Sequence, residues 1–418
     1  MPRSFAARLC ICVVFDSYTV GVAPCCAGAD APLATARRTQ VPDTPEGNTG
    51  PLAGVRIVDL TSYFMGPYAT ALLAQLGASV TKVEPPEGDI SRGILDPDGR
   101  RMGQVFLNLN RGKSSVVLNL KSPADFRLFE ELTATTDVVI HNIRQDSAER
   151  LGISYERLRR VNPSVILCSL QGFASDGPLA SRPALDDTIQ AASGMASIQG
   201  GSSGEPAYIR SPIADKTVGV FAVVAVLAAI IERDRSGLGQ SVEVPMLETM
   251  TSFNLVEQQG GLVYDPPRGP SGYARTASPF RRPFRTTDGH ISVLVYTNRH
   301  WADFFRLIDR DDLVEDERFR TIGARTENID ELYRLIGSEF LNRSSQDWLE
   351  RLQKADIPCA PVATIDDIVA SERTTPSGLL ERVDHPTEGT LLQPALPIRF
   401  SRTALAPAAP APNLRAVP

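Results

Sequence analysis

Hydrophobic positions fall into two alternating textures from residue 55 onward. VRIVDL (55–60) is β-branched and bounded by Gly54, TALLAQLG (70–77) has helical character with a glycine stop, and SVTKVE (79–84) is again strand-like and ends at Pro85. A strand, helix, strand succession of this kind predicts a parallel pair. The texture then recurs. SSVVLNL (114–120) predicts a strand, Ser122 with Pro123 opens a helix through FRLFEELTA (126–134), DVVIHN (137–142) predicts a strand, YERLRRVN (155–162) a helix and SVILCSL (164–170) a further strand. Alternation on this scale predicts an α/β fold whose Rossmann-like large domain holds a parallel sheet covered by helices. No GxGxxG follows the first strand, so the pattern does not indicate a dinucleotide site of the usual kind.

After a Gly/Ser-rich turn (199–206) comes IADKTVGVFAVVAVLAAIIERDRSGLGQ (213–240), a polar first turn leading into an apolar helix that stops at Gly237. Its apolar run, 218–231, is shorter than the roughly 20 residues that span a bilayer, which predicts a buried helix and no membrane partner. Residues 245–345 change texture, with a Pro/Gly/Arg-rich loop at 265–285 and a strand-like HISVLVY at 290–296, and predict a smaller α+β domain. The large domain is expected over 51–240 with a return over 355–403. Residues 404–418, rich in Pro and Ala, predict a flexible tail.

Composition narrows the function. The chain has 418 residues, 43 Lys and Arg against 49 Asp and Glu, and a net charge of −6, which argues against a nucleic-acid partner. Four of the six cysteines (Cys10, Cys12, Cys25, Cys26) precede residue 30, so the body, with Cys168 and Cys359, has no disulfide framework. His141, His290, His300 and His385 form no HExxH or paired-ligand arrangement, and no metal is expected. Residues 1–50 start with Arg3 and Arg8 and an apolar LCICVVF broken by Asp16. They read either as a presequence, implying an organellar or exported protein, or as a start-site artefact, in which case the cytoplasm is expected.

Ligands of open parallel sheets collect beyond the carboxyl ends of the strands. There the sequence places Lys82 and Glu84, Asn142 and Arg144, and Gln171 and Gly172. Each alone reads as a solvated strand end; together they suggest one site. Asp215, in the first turn of the apolar helix, either caps that turn or serves as a nucleophile, held near a positive helix end and partly stripped of water.

In this order the blocks PLAGVRIVDLTSYFMGPYATALLAQLGASVTKVEPPEGDISR, NRGKSSVVLNLKSP, HNIRQDSAERLGISYERLRRVNPSVILCSLQGF, DDTIQAASGMASIQG, ADKTVGVFAVVAVLAAIIERDRSGLGQSVEV and IPCAPVATIDDI resemble family III CoA-transferases, the group of formyl-CoA transferase and carnitine CoA-transferase, related to alpha-methylacyl-CoA racemase. The resemblance runs from residue 51 to 401. It implies transfer of CoA from an acyl-CoA thioester to an acceptor carboxylic acid, with CoA as substrate and product and no permanently bound cofactor. Asp215 of ADKTVG would be the nucleophile, passing through an aspartyl anhydride and an aspartyl-CoA thioester, and Asp186 would support it. Lys113, Asn142, Arg150 and Arg92 are implied as CoA contacts, to which Lys82 adds a strand-end candidate. A glycine-rich loop would supply oxyanion donors, with Gly260, Gly261, Gly269 and Gly272 as candidates. The resemblance also implies an interlocked homodimer, threaded near 236–250 and 345–355.

The racemase relatives carry a histidine in a GHD pattern and a glutamate before a late helix; this chain has Leu185 and Asn298 at those places. Leucine exchanges no proton, so racemisation or isomerisation is the lesser reading, beside a catalytically inactive CoA-binding protein. Arg268, Arg275, Arg281, Arg282 and Arg285 suit a dicarboxylate acceptor or a solvated basic loop.

Overall fold

A computed structural model describes residues 49–201 and 204–414. Nearly all of the N-terminal extension, and with it the presequence question, lies outside the described residues.

Six strands, β1 (Arg56–Asp59), β2 (Ser79–Glu84), β3 (Lys113–Val117), β4 (Val138–His141), β5 (Ile166–Gln171) and β6 (Ser241–Pro245), form one sheet in the order β3-β2-β1-β4-β5-β6. Every neighbouring pair is parallel. The order reverses between β1 and β4, and that reversal opens the crevice in which ligands of doubly wound sheets bind. β6, absent from the strands expected above, extends the sheet beyond β5.

Pleating sends successive side chains to opposite faces, and both faces are apolar. Ile57, Val80, Ile140, Ile166 and Cys168 pack with the helices Met65–Gln75 and Ile213–Ser236, while Val58, Val83, Val139 and Leu167 pack with Phe126, Phe129 and Leu158 of the helices Pro123–Thr133 and Tyr155–Val161. Ser122 caps the second of these pairs' first helix from its side chain, as its position before Pro123 requires. The long helix Ile213–Ser236 lies close against Met65–Gln75 because Gly219 faces it; a Cβ there would stand 3.0 Å from the Met65 carbonyl oxygen and the Tyr68 ring. By length and composition alone this helix could cross a membrane, yet half of its apolar window is buried within the fold. The expectation of a buried helix therefore holds for one face only: Val220, Phe221, Val224 and Ile231 are exposed.

A second apolar cluster gathers Phe284, Ile291, Trp301, Phe304, Phe340, Trp348 and Ile357. It surrounds an antiparallel sheet of β7 (Phe284–Arg285), β8 (His290–Val293) and β9 (Cys359–Pro361), and includes the helices Asn298–Leu307, Ile329–Phe340 and Ser345–Lys354. Packing moves the expected boundaries. Met246 and Met250 belong to the first cluster, and the helix Ser345–Lys354 with β9 lies with the second. The segments expected to link the two are largely regular structure, β6 and that helix.

The Pro/Ala-rich end is not a free tail as far as residue 414. Ala411 is buried, the amide of Gly112 donates to the Ala409 carbonyl (3.0 Å), Arg92 Nη2 donates to the Pro412 carbonyl (3.0 Å), and His385 Nε2 pairs with the Ala411 carbonyl (3.0 Å). Such a segment has little apolar side chain to bury, but an extended backbone offers carbonyls, and here they satisfy buried donors. It packs beside a hairpin of β10 (Leu380–His385) and β11 (Gly389–Pro394).

Candidate active site

The helix Ile213–Ser236 begins beside the helix Asp186–Ala192. The first amides of a helix have no partner within it. Here the amide of Asp215 donates to Asp186 Oδ2 (2.9 Å), so Asp186 acts as a cap supplied from another element. Asp186 is held in turn by Gln190, whose Nε2 donates to Oδ1 (2.6 Å) and whose Oε1 accepts from the amide of Ile209 (2.9 Å). Asp215 itself is 8% exposed. Burial, reinforced by the nearby Asp186 charge, pushes its carboxyl up to about 7. The loss of water expected from the sequence is the larger cause of this rise, and the second carboxylate, which the sequence reading did not weigh, adds to it. Leu185, where racemase relatives carry a histidine, is 61% exposed and has no titrating group.

Asn142 stands at the reversal of strand order. Its Oδ1 accepts from the amide of Ser62 (3.0 Å) and its Nδ2 donates to the Ser62 carbonyl (2.8 Å), closing the loop after β1 onto β4. Arg150 is exposed, and its Nη2 reaches Ser147 Oγ (2.8 Å), leaving the rest of the guanidinium open to a ligand.

Lys82, Arg92 and Lys113 are placed differently from the expectation that they meet CoA phosphates. All three are buried, Lys82 within β2, Arg92 in the turn Ile90–Gly93 that follows β2 and Lys113 as the first residue of β3, and each is committed to a carboxylate. Lys113 Nζ lies 3.0 Å from Asp59 Oδ2 and also donates to the Pro67 carbonyl (3.0 Å) and Asn110 Oδ1 (2.8 Å). Lys82 Nζ pairs with Asp89 Oδ2 (2.8 Å) and the Thr61 carbonyl (2.7 Å). Arg92 grips Glu84 with Nε and Nη2, both at 2.7 Å, and its guanidinium lies 3.7 Å from the Phe106 ring centroid. The physical reason is desolvation: charge inside the fold is costly unless paired, and here Arg92 and Lys113 spend every donor on partners within the fold while Lys82 is sealed against Asp89. Burial opposes ionisation of Asp59, but Lys113, Lys82 and the hydroxyls of Thr61 and Thr70 hold it below the ordinary carboxylate range. Burial and the adjacent Lys82 pull Lys113 down to about 8 against the attraction of Asp59. The sequence reading missed Asp59 and Asp89, for which the one available signal was a set of cations in apolar strands that needed partners.

The four glycine candidates do come together. A Cβ on Gly261 would stand 2.4 Å from the Gly269 Cα, so that approach requires glycine, and Gly260 and Gly272 have φ of +54° and +102°. Two of their amides are occupied, Gly261 donating to the Pro270 carbonyl (2.9 Å) and Gly272 to Gln258 (2.8 Å), so these two hold the loop's shape and are not free oxyanion donors. Among the described residues no group of His, Cys, Asp and Glu is arranged to hold a metal ion.

Two outcomes follow from this geometry. Since Asp215 binds its proton up to about pH 7 in the native state and only to about 4 when unfolded, the native protein holds more protons across that window and stability falls as pH rises through it. Asp215→Asn should therefore be more stable than wild type at pH 8 by an amount on the order of a few kcal/mol, and nearly equal to it at pH 4; in carboxyl-labelled NMR titrations, Asp186→Asn should move the Asp215 midpoint downward. Equal unfolding midpoints at pH 8 would contradict the buried, raised carboxyl. Lys113→Ala, by leaving Asp59 unpaired, should lower stability in urea by about 3 to 5 kcal/mol, whereas a lysine that served a ligand would leave it nearly unchanged.

The model of the family described as CoA-transferase family III matches residues 52–416. The chain is 30% identical over 365 residues to succinyl-CoA:glutarate CoA-transferase of Mus musculus, covering 87% of this chain and 84% of that protein. With formyl-CoA:oxalate CoA-transferase of Streptomyces coelicolor it shares 31% identity, covering 84% and 89%. A crystal structure of a CaiB/BaiF family protein from Brucella suis superposes with a TM-score of 0.73 at 30% identity, covering 88% of this chain and 97% of that one. The order of the sheet, the matched residues and these relatives agree, and the chain belongs to CoA-transferase family III, an enzyme family of coenzyme A transfer.

Proposed function

We propose that this enzyme moves CoA from a short acyl-CoA to a small carboxylic acid through covalent intermediates on Asp215. The observation that carries this reading is a buried carboxyl with a raised pKa at the start of the long helix, beside a second carboxylate that orients its backbone. In the proposed sequence an Asp215 oxygen attacks the thioester carbonyl, the C–S bond breaks, and CoA thiolate leaves a mixed anhydride. The thiolate then attacks the aspartyl carbonyl and expels the donor acid as its carboxylate, leaving an aspartyl-CoA thioester. The acceptor carboxylate attacks that thioester, thiolate departs again, and its attack on the acceptor carbonyl releases the new acyl-CoA and restores Asp215. Charge and protons balance, and a thioester is exchanged for a thioester, so no external energy source is needed. Burial serves the chemistry, because a carboxylate with little water around it has less hydration to lose on attack.

Relatives named for glutarate and oxalate suggest a short dicarboxylic acid as acceptor here. For CoA, the placement favours Arg150 and Asn142 at the crevice, while Lys82, Arg92 and Lys113 act on the backbone around it. Gly260 and Gly269 are the remaining oxyanion candidates of the glycine loop.

We further propose an interlocked homodimer of a large and a small domain. Val220, Phe221, Val224 and Ile231 form an apolar stripe along the solvent side of the long helix, 43 to 59% exposed, which a second copy would cover.

Acyl-CoA mixed with enzyme and quenched with hydroxylamine should convert one carboxylate to a hydroxamate, and the modified peptide should contain Asp215. Asp215→Asn should fold and bind CoA but lose nearly all turnover, on the order of a thousandfold or more, while Asp186→Asn should keep part of it. Label on Asp186, Asp187 or Glu248 would refute the assignment. Light scattering should report a dimer for the wild type, with Phe221→Glu combined with Val224→Glu shifting it toward monomer; a monomeric wild type would remove the dimer proposal.

A further inference from the structure

The arginines around the second cluster differ in their partners, and several, Arg285, Arg320, Arg325 and Arg334 among them, meet no carboxylate at ion-pair distance among the described residues. Arg299, Arg306, Arg310, Arg318, Arg343 and Arg351 each pair with an aspartate. Arg275, Arg281 and Arg282 have no carboxylate within ion-pair distance among the described residues, and all three line one cavity of about 290 Å3 together with Ser292 and Tyr333. No acidic residue lines it. Arg275 is half-buried; its Nε donates to the Tyr333 hydroxyl (3.2 Å), Tyr273 lies beside it as a second hydrogen-bonding phenol, and its guanidinium stacks 5.3 Å from the Tyr296 ring centroid, which fixes the group at the cavity wall.

Guanidinium groups gathered around one cavity repel one another unless an anion sits among them. What sets these three apart is that they converge on one cavity with no acidic residue in its lining, which leaves that anion to come from outside. The guanidinium fork matches a planar carboxylate or a phosphate through paired, charge-assisted hydrogen bonds. We propose that this cavity is an oxyanion-binding pocket, which takes a carboxylate or phosphate carried by a substrate. The site stands on its own charge and shape; it rests on the functional reading above only for the two sources of the anion, the short dicarboxylic acid and CoA.

Calorimetric titration of the full chain with glutarate, and separately with adenosine 3′,5′-bisphosphate as the probe for the CoA phosphates, tests it. The variants are Arg281→Gln with Arg282→Gln, Arg275→Gln, and Arg318→Gln as a control taken from the aspartate-paired arginines. Wild type should bind one of the two probes, the pocket variants should bind it at least tenfold more weakly, and the control should match wild type. Loss confined to glutarate assigns the pocket to the acid, and loss confined to the bisphosphate assigns it to CoA. Failure of wild type to bind either probe, undiminished binding by the pocket variants, or an equal loss in the control would overturn the proposal. Binding is measured again with Asp215→Asn, which removes the proposed nucleophile and leaves the pocket intact, so a failed covalent mechanism and a failed pocket give different results.

Discussion

Three cations and three carboxylates sealed where β1, β2, the turn after β2 and the start of β3 meet fix the edge of the sheet on which everything else is built. Each cation also donates to a backbone carbonyl of another segment. Lys113 ties β3 to the start of the helix Met65–Gln75 through the Pro67 carbonyl, Lys82 ties β2 to the loop after β1 through Thr61, and Arg92 reaches the Pro/Ala-rich segment through the Pro412 carbonyl. An apolar replacement of the whole set could be as stable, since burying charge is costly in itself. What apolar contacts would not supply is direction. Hydrogen bonds to named carbonyls hold the crevice loops in one arrangement, and a fully satisfied network of this sort specifies a single structure in a way that loose packing does not.

On that fixed edge the second carboxylate pair faces the opposite balance. A helix N-terminus favours a nearby anion by about 0.3 to 1 kcal/mol, whereas the rise of Asp215 to about 7 corresponds to roughly 4 kcal/mol in favour of the neutral form. Near neutral pH the carboxyl is therefore divided between its two forms, where an exposed aspartate would be ionised. Asp186 contributes on both sides, because it accepts the amide of Asp215 and so positions the residue, while its charge discourages ionisation of the same side chain. One aspartate that is firmly placed and reluctantly ionised, next to another that is held by Gln190, is a division of roles that identical residue types can reach only through different surroundings.

Legibility in the sequence followed how local each signal was. Strands β1 to β5 were readable because β-branched runs bounded by glycine, proline or a capping serine carry their own boundaries. β6 is five residues, SVEVP, of which two are exposed, and its place is decided by pairing with β5. Asp215 was readable as a carboxylate opening an apolar helix, and Asp186 through family resemblance. Lys82 was readable at a strand end, and Arg92 and Lys113 only through resemblance; their carboxylate partners were not readable, since Asp59 and Lys113 lie 54 positions apart and only folding shows that they meet. The proline-rich end failed for a related reason. Composition reports what side chains can bury, and that segment is held through its backbone carbonyls.

Charge placement links these observations. With a net charge of −6, the chain as a whole repels a polyanion such as CoA, and salt screens that repulsion beyond about 8 Å. Binding therefore has to come from cations near the ligand that are not already neutralised. The sheet edge consumes Lys82, Arg92 and Lys113, and aspartates around the second cluster neutralise six arginines there. Those left without a carboxylate include Arg144 and Arg150, just after the strand that borders the crevice, and Arg275, Arg281 and Arg282 around one cavity. Arginine suits such positions because its guanidinium is weakly hydrated and gives up little on meeting an oxyanion. Interior cations thus shape the backbone, and the unpaired exterior ones remain to meet ligands, a separation that follows from desolvation alone.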